Sequence, residues 1–297
     1  MLTKFHKVLI GALVVQIALA VVLFAKGGRP APAQEHALLP GFDAAKVTRL
    51  QVFSEDKPID LVKKGDAWVV ASSFDYPADK TKIDAVLAPI AKLAAAEPVA
   101  ESKSRHKQLG VADDGFKRKL VITADGKDTT LFVGGSAGLR RNAVRLAGSD
   151  DVYGVAGLSE FSAPATVNLW VDPHYYAIPK DQIAEIRVED YVFTHKDDGT
   201  WTATYKGEAI EPLDTDKLEP LIDQMASVDV LAPAALDQKK TGTFTIQMKG
   251  AAPISIGYAE LGDKYWIHHE AMNRAVTIDK SKLEVIGFDR AKLVKAK

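Results

Sequence analysis

The chain contains no cysteine. That absence excludes disulfides, thiolate zinc sites, iron–sulfur clusters and cysteine nucleophiles together, and with them lipidation on a cysteine behind an apolar leader. Charge of one sign is lacking as well: 38 Lys and Arg stand against 39 Asp and Glu in 297 residues. A nucleic-acid binder needs a basic face to meet phosphates, so the balance argues against such a partner, and no block of like charge forms an interaction tail. Among hydrolase signatures no His-Glu-x-x-His helix appears, and the one Gly-x-Ser-x-Gly spacing, Gly134 to Gly138, lies between strand-like pieces and not before a helix, so it makes no nucleophile elbow. What remains, 47% hydrophobic and 26% charged residues, is the balance of a folded protein long enough for two domains.

One long apolar run is present. Val8 to Phe24 reads VLIGALVVQIALAVVLF, interrupted only by Gln16 and flanked by Lys4, Lys7, Lys26 and Arg29. As a helix it spans roughly 25 Å, and Ala25 with snorkelling lysines completes the bilayer core. A cleaved signal peptide competes, with Ala31-Pro32-Ala33 as a small-x-small site before Gln34. The run is longer than a signal h-region and the site lies well beyond its end, which favours an uncleaved anchor over residues 1–25. The basic flanks are tied, so orientation rests on the short leading tail before a bulky domain. That arrangement points to a bacterial inner-membrane protein, crossing once, with its bulk in the periplasm. Residues 26–42, KGGRPAPAQEHALLPGF, read as a Gly/Pro/Ala tether.

Beyond the tether the chain reads as a tandem duplication. Val47, Leu50 and Val52 match Ile183, Ile186 and Val188; Gly65-Asp-Ala-Trp68 matches Asp198-Gly-Thr-Trp201. Pro77-Ala-Asp79 and Pro212-Leu-Asp214 open helices whose stripes are Ile83, Val86, Leu87, Ile90, Leu93 and Leu218, Leu221, Ile222, Met225, Val228. The first copy then carries a polar insertion, Ser102 to Asp114. Strand-like pieces follow in both copies, ending with Asn142–Leu146 and Val152–Val155 in one, Tyr265–His269 and Ala275–Ile278 in the other. The expected fold is α+β: two modules, 43–158 and 183–297, each a mainly antiparallel sheet covered by one amphipathic helix with Trp68 or Trp201 as core filler. Residues 159–182, carrying Trp170, Tyr175 and Tyr176, are too apolar for a free linker and should pack between them.

The order of these signals resembles a known family. An N-terminal span, a Trp after the second strand and a Pro-x-Asp helix start are followed by Leu109-Gly110-Val111, Leu131-Phe-Val-Gly-Gly135 and Asp151-Val-Tyr-Gly-Val155. This is similar to the bacterial domain of unknown function 4340, and the likeness runs from about Val47 over most of the chain. The resemblance implies a membrane-anchored accessory protein working beside ABC-transporter subunits, including those of gliding-motility type. It carries over no catalytic residue.

Candidate clusters each have a plainer explanation. His268-His269-Glu270 is the one group that suggests a metal, but alternation points His269 away from the other two, and further ligands would be needed. Gly134-Gly-Ser-Ala-Gly138-Leu-Arg140-Arg141 lacks the Lys-Ser/Thr of a P-loop and lies between strands, as a mobile turn with two solvated arginines. Asp150-Asp151 and Asp197-Asp198 sit beside turn glycines, and His106, His174 and His195 are isolated. No catalytic, cofactor-binding or metal-ligating residue is therefore assigned. The expected function is non-enzymatic: an accessory or interaction protein of an ABC-type envelope complex. The alternative is a tethered binder of a small molecule or glycan, with Tyr175 and Tyr176 lining the cleft between modules; a hydrolase using His268 and Glu270 comes third. If the anchor is kept, intact mass and N-terminal sequencing of the membrane-fraction protein will show the apolar run still attached. A mature chain beginning at Gln34 would contradict it.

Overall fold

The computed structural model describes residues 4–26, 34–54 and 58–295. The proposed cleavage site Ala31–Ala33 and the first half of the tether lie outside them. Helix α1 (Lys4–Lys26) contains the whole apolar run; its Lys4–Val22 stretch is long and apolar enough to cross a membrane, and none of it is buried among the described residues.

The first sheet has eight strands: β1 (Val47–Phe53), β2 (Ile59–Lys64), β3 (Ala67–Val70), β4 (Tyr76–Pro77), β5 (Arg118–Ala124), β6 (Lys127–Ser136), β7 (Asn142–Leu146) and β8 (Val152–Val155). Their order is β8-β7-β6-β5-β1-β2-β3-β4, with every neighbouring pair antiparallel. The spacing of Val47, Leu50 and Val52, three and then two, does not suit a regular strand. A register shift between Val47 and Arg49 against β5 inserts the extra residue, so all three are buried. One face of this sheet takes helix α2 (Lys80–Ala91), whose Asp79 cap accepts from the Thr81 N–H at 2.8 Å and which buries Ile83, Val86, Leu87 and Ile90.

The opposite face is covered by the insertion after α2. Its short helix α3 (His106–Leu109) and the hairpin of Val111–Ala112 with Gly115–Phe116 pack over Phe132, Ala143 and Val152 in a second small core. Gly134 permits this approach, because a Cβ there would stand 2.0 Å from the Leu109 carbonyl oxygen. Arg145 locks the insertion down. Its buried guanidinium donates to the Val111 and Ser149 carbonyls at 2.7 and 3.1 Å and to Asp113 at 2.7 Å, with its plane 4.3 Å from the Phe132 ring.

The rest of the chain forms β9 (His174–Ala177), β10 (Ile183–Val188), β11 (Tyr191–His195), β12 (Trp201–Tyr205), β13 (Glu208–Ala209), helix α4 (Thr215–Ala226), β14 (Ser227–Asp229), β15 (Ala232–Ala234), β16 (Gly242–Met248), β17 (Ile254–Leu261), β18 (Lys264–His269) and β19 (Arg274–Asp279). The second sheet runs β13-β12-β11-β10-β16-β17-β18-β19-β15. Here too the three-then-two spacing of Ile183, Ile186 and Val188 coincides with a register shift, between Ile183 and Glu185. Helix α4, capped by Asp214, buries Leu218, Leu221, Ile222 and Met225.

Several expectations need correction. Both helices are shorter than their apolar stripes. Leu93 and Val228 are buried but lie beyond the helix ends, because Ala94–Ala95 pairs with His36–Ala37 and β14 pairs with β9. The second half of the tether is thus built into the first sheet's surroundings, with Leu38 buried and its N–H on the Leu93 carbonyl at 2.9 Å. Trp68 is buried, whereas Trp201 is half-buried and stacks on His195, centroids 4.6 Å apart.

The second half of residues 159–182 bonds to both halves of the chain. Asp79 N–H donates to the Trp170 carbonyl at 2.7 Å, Asp172 N–H to the Pro77 carbonyl at 3.0 Å, and the buried Trp170 indole N–H to the Pro164 carbonyl at 2.8 Å. From there β9 pairs with β14, so one continuous apolar core runs through both sheets. Trp68→Ala and Trp170→Ala should each cost about 3–5 kcal/mol of stability, while Trp201→Ala should cost much less. Urea unfolding of the three variants checks this; equal losses at Trp68 and Trp201 would refute the packing described.

Candidate functional site at the seam

The seam is where the two sheets bring chemistry together, and its inner part is already filled. Tyr175 and Tyr176 are buried in it. The Tyr175 hydroxyl accepts the His269 N–H at 2.8 Å and donates to the Arg274 carbonyl; the Tyr176 hydroxyl donates to the Met225 carbonyl at 3.0 Å. Burial pushes both phenols up from their ordinary range. These tyrosines are mortar between the sheets and line no open cleft, which corrects the expectation that they would meet a ligand.

An opening remains at the outer edge. The turn after β3 brings Phe74 and Asp75 round in the left-handed region, at φ 57° and 54°. Phe74 and Tyr76 face Ala234, Leu236 and Arg274 across a cavity of about 130 Å³. The Arg274 guanidinium lies 5.6 Å from the centroid of the Tyr76 ring. Sequence reasoning passed over Phe74 and Arg274, because only the fold brings residues 200 positions apart into one wall (274 − 74).

The His268-His269-Glu270 cluster is divided as alternation requires. His269 is buried edge-on against Tyr175 and Tyr176, centroids 6.5 and 5.9 Å away, and its Nδ1 has no hydrogen-bond partner. His268 packs on the other face beside Trp266 at 5.5 Å, its Nε2 also enclosed and unpartnered. Burial lowers the pKa of both rings. Glu270 leaves the strand in a short 3₁₀ turn and ion-pairs with Lys240. Among the described residues no group of three His, Asp or Glu side chains is placed to hold a metal.

Other candidates settle into structural roles. Gly134–Arg141 forms the end of β6 and the turn into β7, as its context suggests, but one of its two arginines is engaged. Arg141 donates to the Gly154 carbonyl at 3.0 Å and to Glu35 at 3.2 Å. The Asp150 carbonyl accepts from His106 Nε2 at 2.8 Å, and Asp198 accepts from both N–H and hydroxyl of Thr200, which holds its carboxyl below the usual range. His174 faces Asp229 at 3.1 Å and His195 faces the Ile183 carbonyl at 3.1 Å.

Comparison with known proteins gives one finding. The family model described as Domain of unknown function (DUF4340) matches residues 68–245. The match begins at Trp68 in the first sheet, runs through the connector and ends inside β16 of the second, before His269 and Arg274. No curated protein and no solved structure matches the chain.

The two enclosed imidazoles set a pH dependence. Their folded pKa values lie below the ordinary 6.5, so the unfolded chain binds protons more tightly as pH falls. Their contribution is fully present above pH 6.5 and is lost as pH drops through it toward the folded values. The melting temperature should therefore fall between about pH 7.5 and 5.5, and His268→Gln with His269→Gln should flatten that slope. An unchanged slope in the double variant would contradict the assignment.

Proposed function

The chain belongs to the Domain of unknown function (DUF4340) family, and from that membership and the geometry of the seam we propose that it is a non-enzymatic accessory protein tethered to the bacterial inner membrane. Its body, two duplicated modules fused at the connector, stands in the periplasm and docks onto subunits of an ABC-type transporter or envelope complex. The observation that carries this reading is the contrast between α1, apolar over Val8–Val22 and unburied among the described residues, and a body whose inner seam is filled by its own side chains. The duplication is supported by the matching strand sequence from β4 to β8 and from β13 to β19, and by bulges at the same place in β1 and β10. The transporter association is supported by family resemblance.

A small-molecule or glycan site in the seam between the modules is disfavoured by size. A cavity of about 130 Å³ falls well short of the roughly 300–1,000 Å³ that enclose typical small ligands. The hydrolase reading has less support, since His268 Nε2 is enclosed and Glu270 is ion-paired with Lys240.

Docking from a tether depends on local concentration, because a short linker makes the encounter nearly intramolecular. Replacing Met1–Phe24 by a cleavable export signal should release a folded body that fails to complement a deletion strain. His268→Ala combined with Glu270→Ala should complement normally at wild-type protein levels. Full complementation by the released body, with loss of function in the double variant, would overturn the proposal in favour of catalysis.

A further inference from the structure

Leu139 and Phe161 are the most exposed large apolar side chains of the described residues, at 92% and 83%, above even those of α1. Both lie at one end of the first sheet. Leu139 tips the β6–β7 hairpin, which is closed by Ala137 N–H on the Arg141 carbonyl at 2.9 Å and Arg141 N–H on the Gly138 carbonyl at 3.3 Å. Phe161 follows Glu160, whose carboxylate takes the Lys117 ammonium at 2.7 Å; that ammonium lies 3.7 Å from the Cβ position of Gly135, at the base of the hairpin. Val99, another exposed apolar residue, reaches the same end, since the Cβ position of Gly154 lies 3.4 Å from Val99 and 3.1 Å from the Ala137 carbonyl.

This end is also where the chain enters the body. Arg141 holds Glu35 at 3.2 Å, and α1 ends at Lys26. Nine residue steps separate Lys26 from Glu35 (35 − 26), a reach of about 30 Å at full extension. The remaining arginine of the tip, Arg140, is exposed and forms no ion pair among the described residues, leaving a guanidinium beside an apolar tip as phosphate headgroups would require.

We propose that the Gly138–Arg141 tip and the adjoining Phe161 loop rest in the headgroup region of the bilayer that α1 crosses, with Leu139 and Phe161 entering the interface and Arg140 meeting lipid phosphate. The contact fixes which face of the body points away from the membrane. It rests on the anchor reading above, and the test keeps the two apart.

The chain has no native cysteine, so single nitroxide labels are clean. The full chain carrying Leu139→Cys, Phe161→Cys, Asp125→Cys or Val14→Cys is placed in vesicles of phosphatidylethanolamine and phosphatidylglycerol. Collision with oxygen is then compared with collision with a water-soluble nickel chelate. Labels at 139 and 161 should favour oxygen, with 14 deeper still, while 125, in the turn at the far end of β5, should favour nickel. Adding Arg140→Glu should lower the oxygen preference at 139 about two-fold or more in these anionic vesicles. Labels at 139 and 161 as wet as 125, with 14 in lipid, would overturn the inference alone; a wet label at 14 would overturn the anchor. Protection lost on tenfold dilution into lipid would indicate a second copy on the patch, and protection confined to native membranes a protein partner. Either result would overturn the lipid contact.

Discussion

The fold turns on the connector strand of backbone bonds around Trp170. Without the bonds from Asp79 and Asp172, and without β9 lying on β14, each sheet would show an apolar flank to water. With them, the core of one sheet continues into the other. Trp170 is enclosed with its only polar atom satisfied, so its area contributes without an unmet hydrogen bond. The same segment caps both helices in a broad sense: it holds the start of α2 through Asp79 and the chain leaving α4 through β14.

This constraint shapes what the protein can do. A binder that closes on a ligand needs two bodies and a hinge with few crossing contacts. Here the hinge position is occupied by Tyr175 and Tyr176, each tied by its hydroxyl to backbone on the second sheet or α4. A body fused in this way presents surfaces at fixed separation, which suits a docking role near a membrane.

Local signals were the legible ones. Both helix starts could be read because an aspartate cap acts within its own first turn, and the three-then-two apolar spacing correctly marked strands even though it required a bulge. Helix ends were not legible at Leu93 and Val228, where a tertiary strand pairing replaces the last turn. Trp201 looked equivalent to Trp68 by position, yet its place near the edge of the second sheet leaves it half open to solvent. The insertion looked like a polar loop because its anchor, Arg145, is supplied from β7 and its landing site is a glycine, Gly134. The connector tyrosines advertised a cleft for the same reason: composition reports apolar surface without saying what covers it.

The rigid seam is the claim on which the functional argument rests, and a distance measurement addresses it. Nitroxides at Asp125→Cys and Lys249→Cys, on exposed turns of the two sheets, report their separation by double electron–electron resonance in the membrane-reconstituted full chain. One narrow distance distribution, unchanged by periplasmic extract, is the result the fused core predicts. A broad or two-peaked distribution that sharpens when a small molecule or glycan is added would contradict it and restore a hinged binding protein.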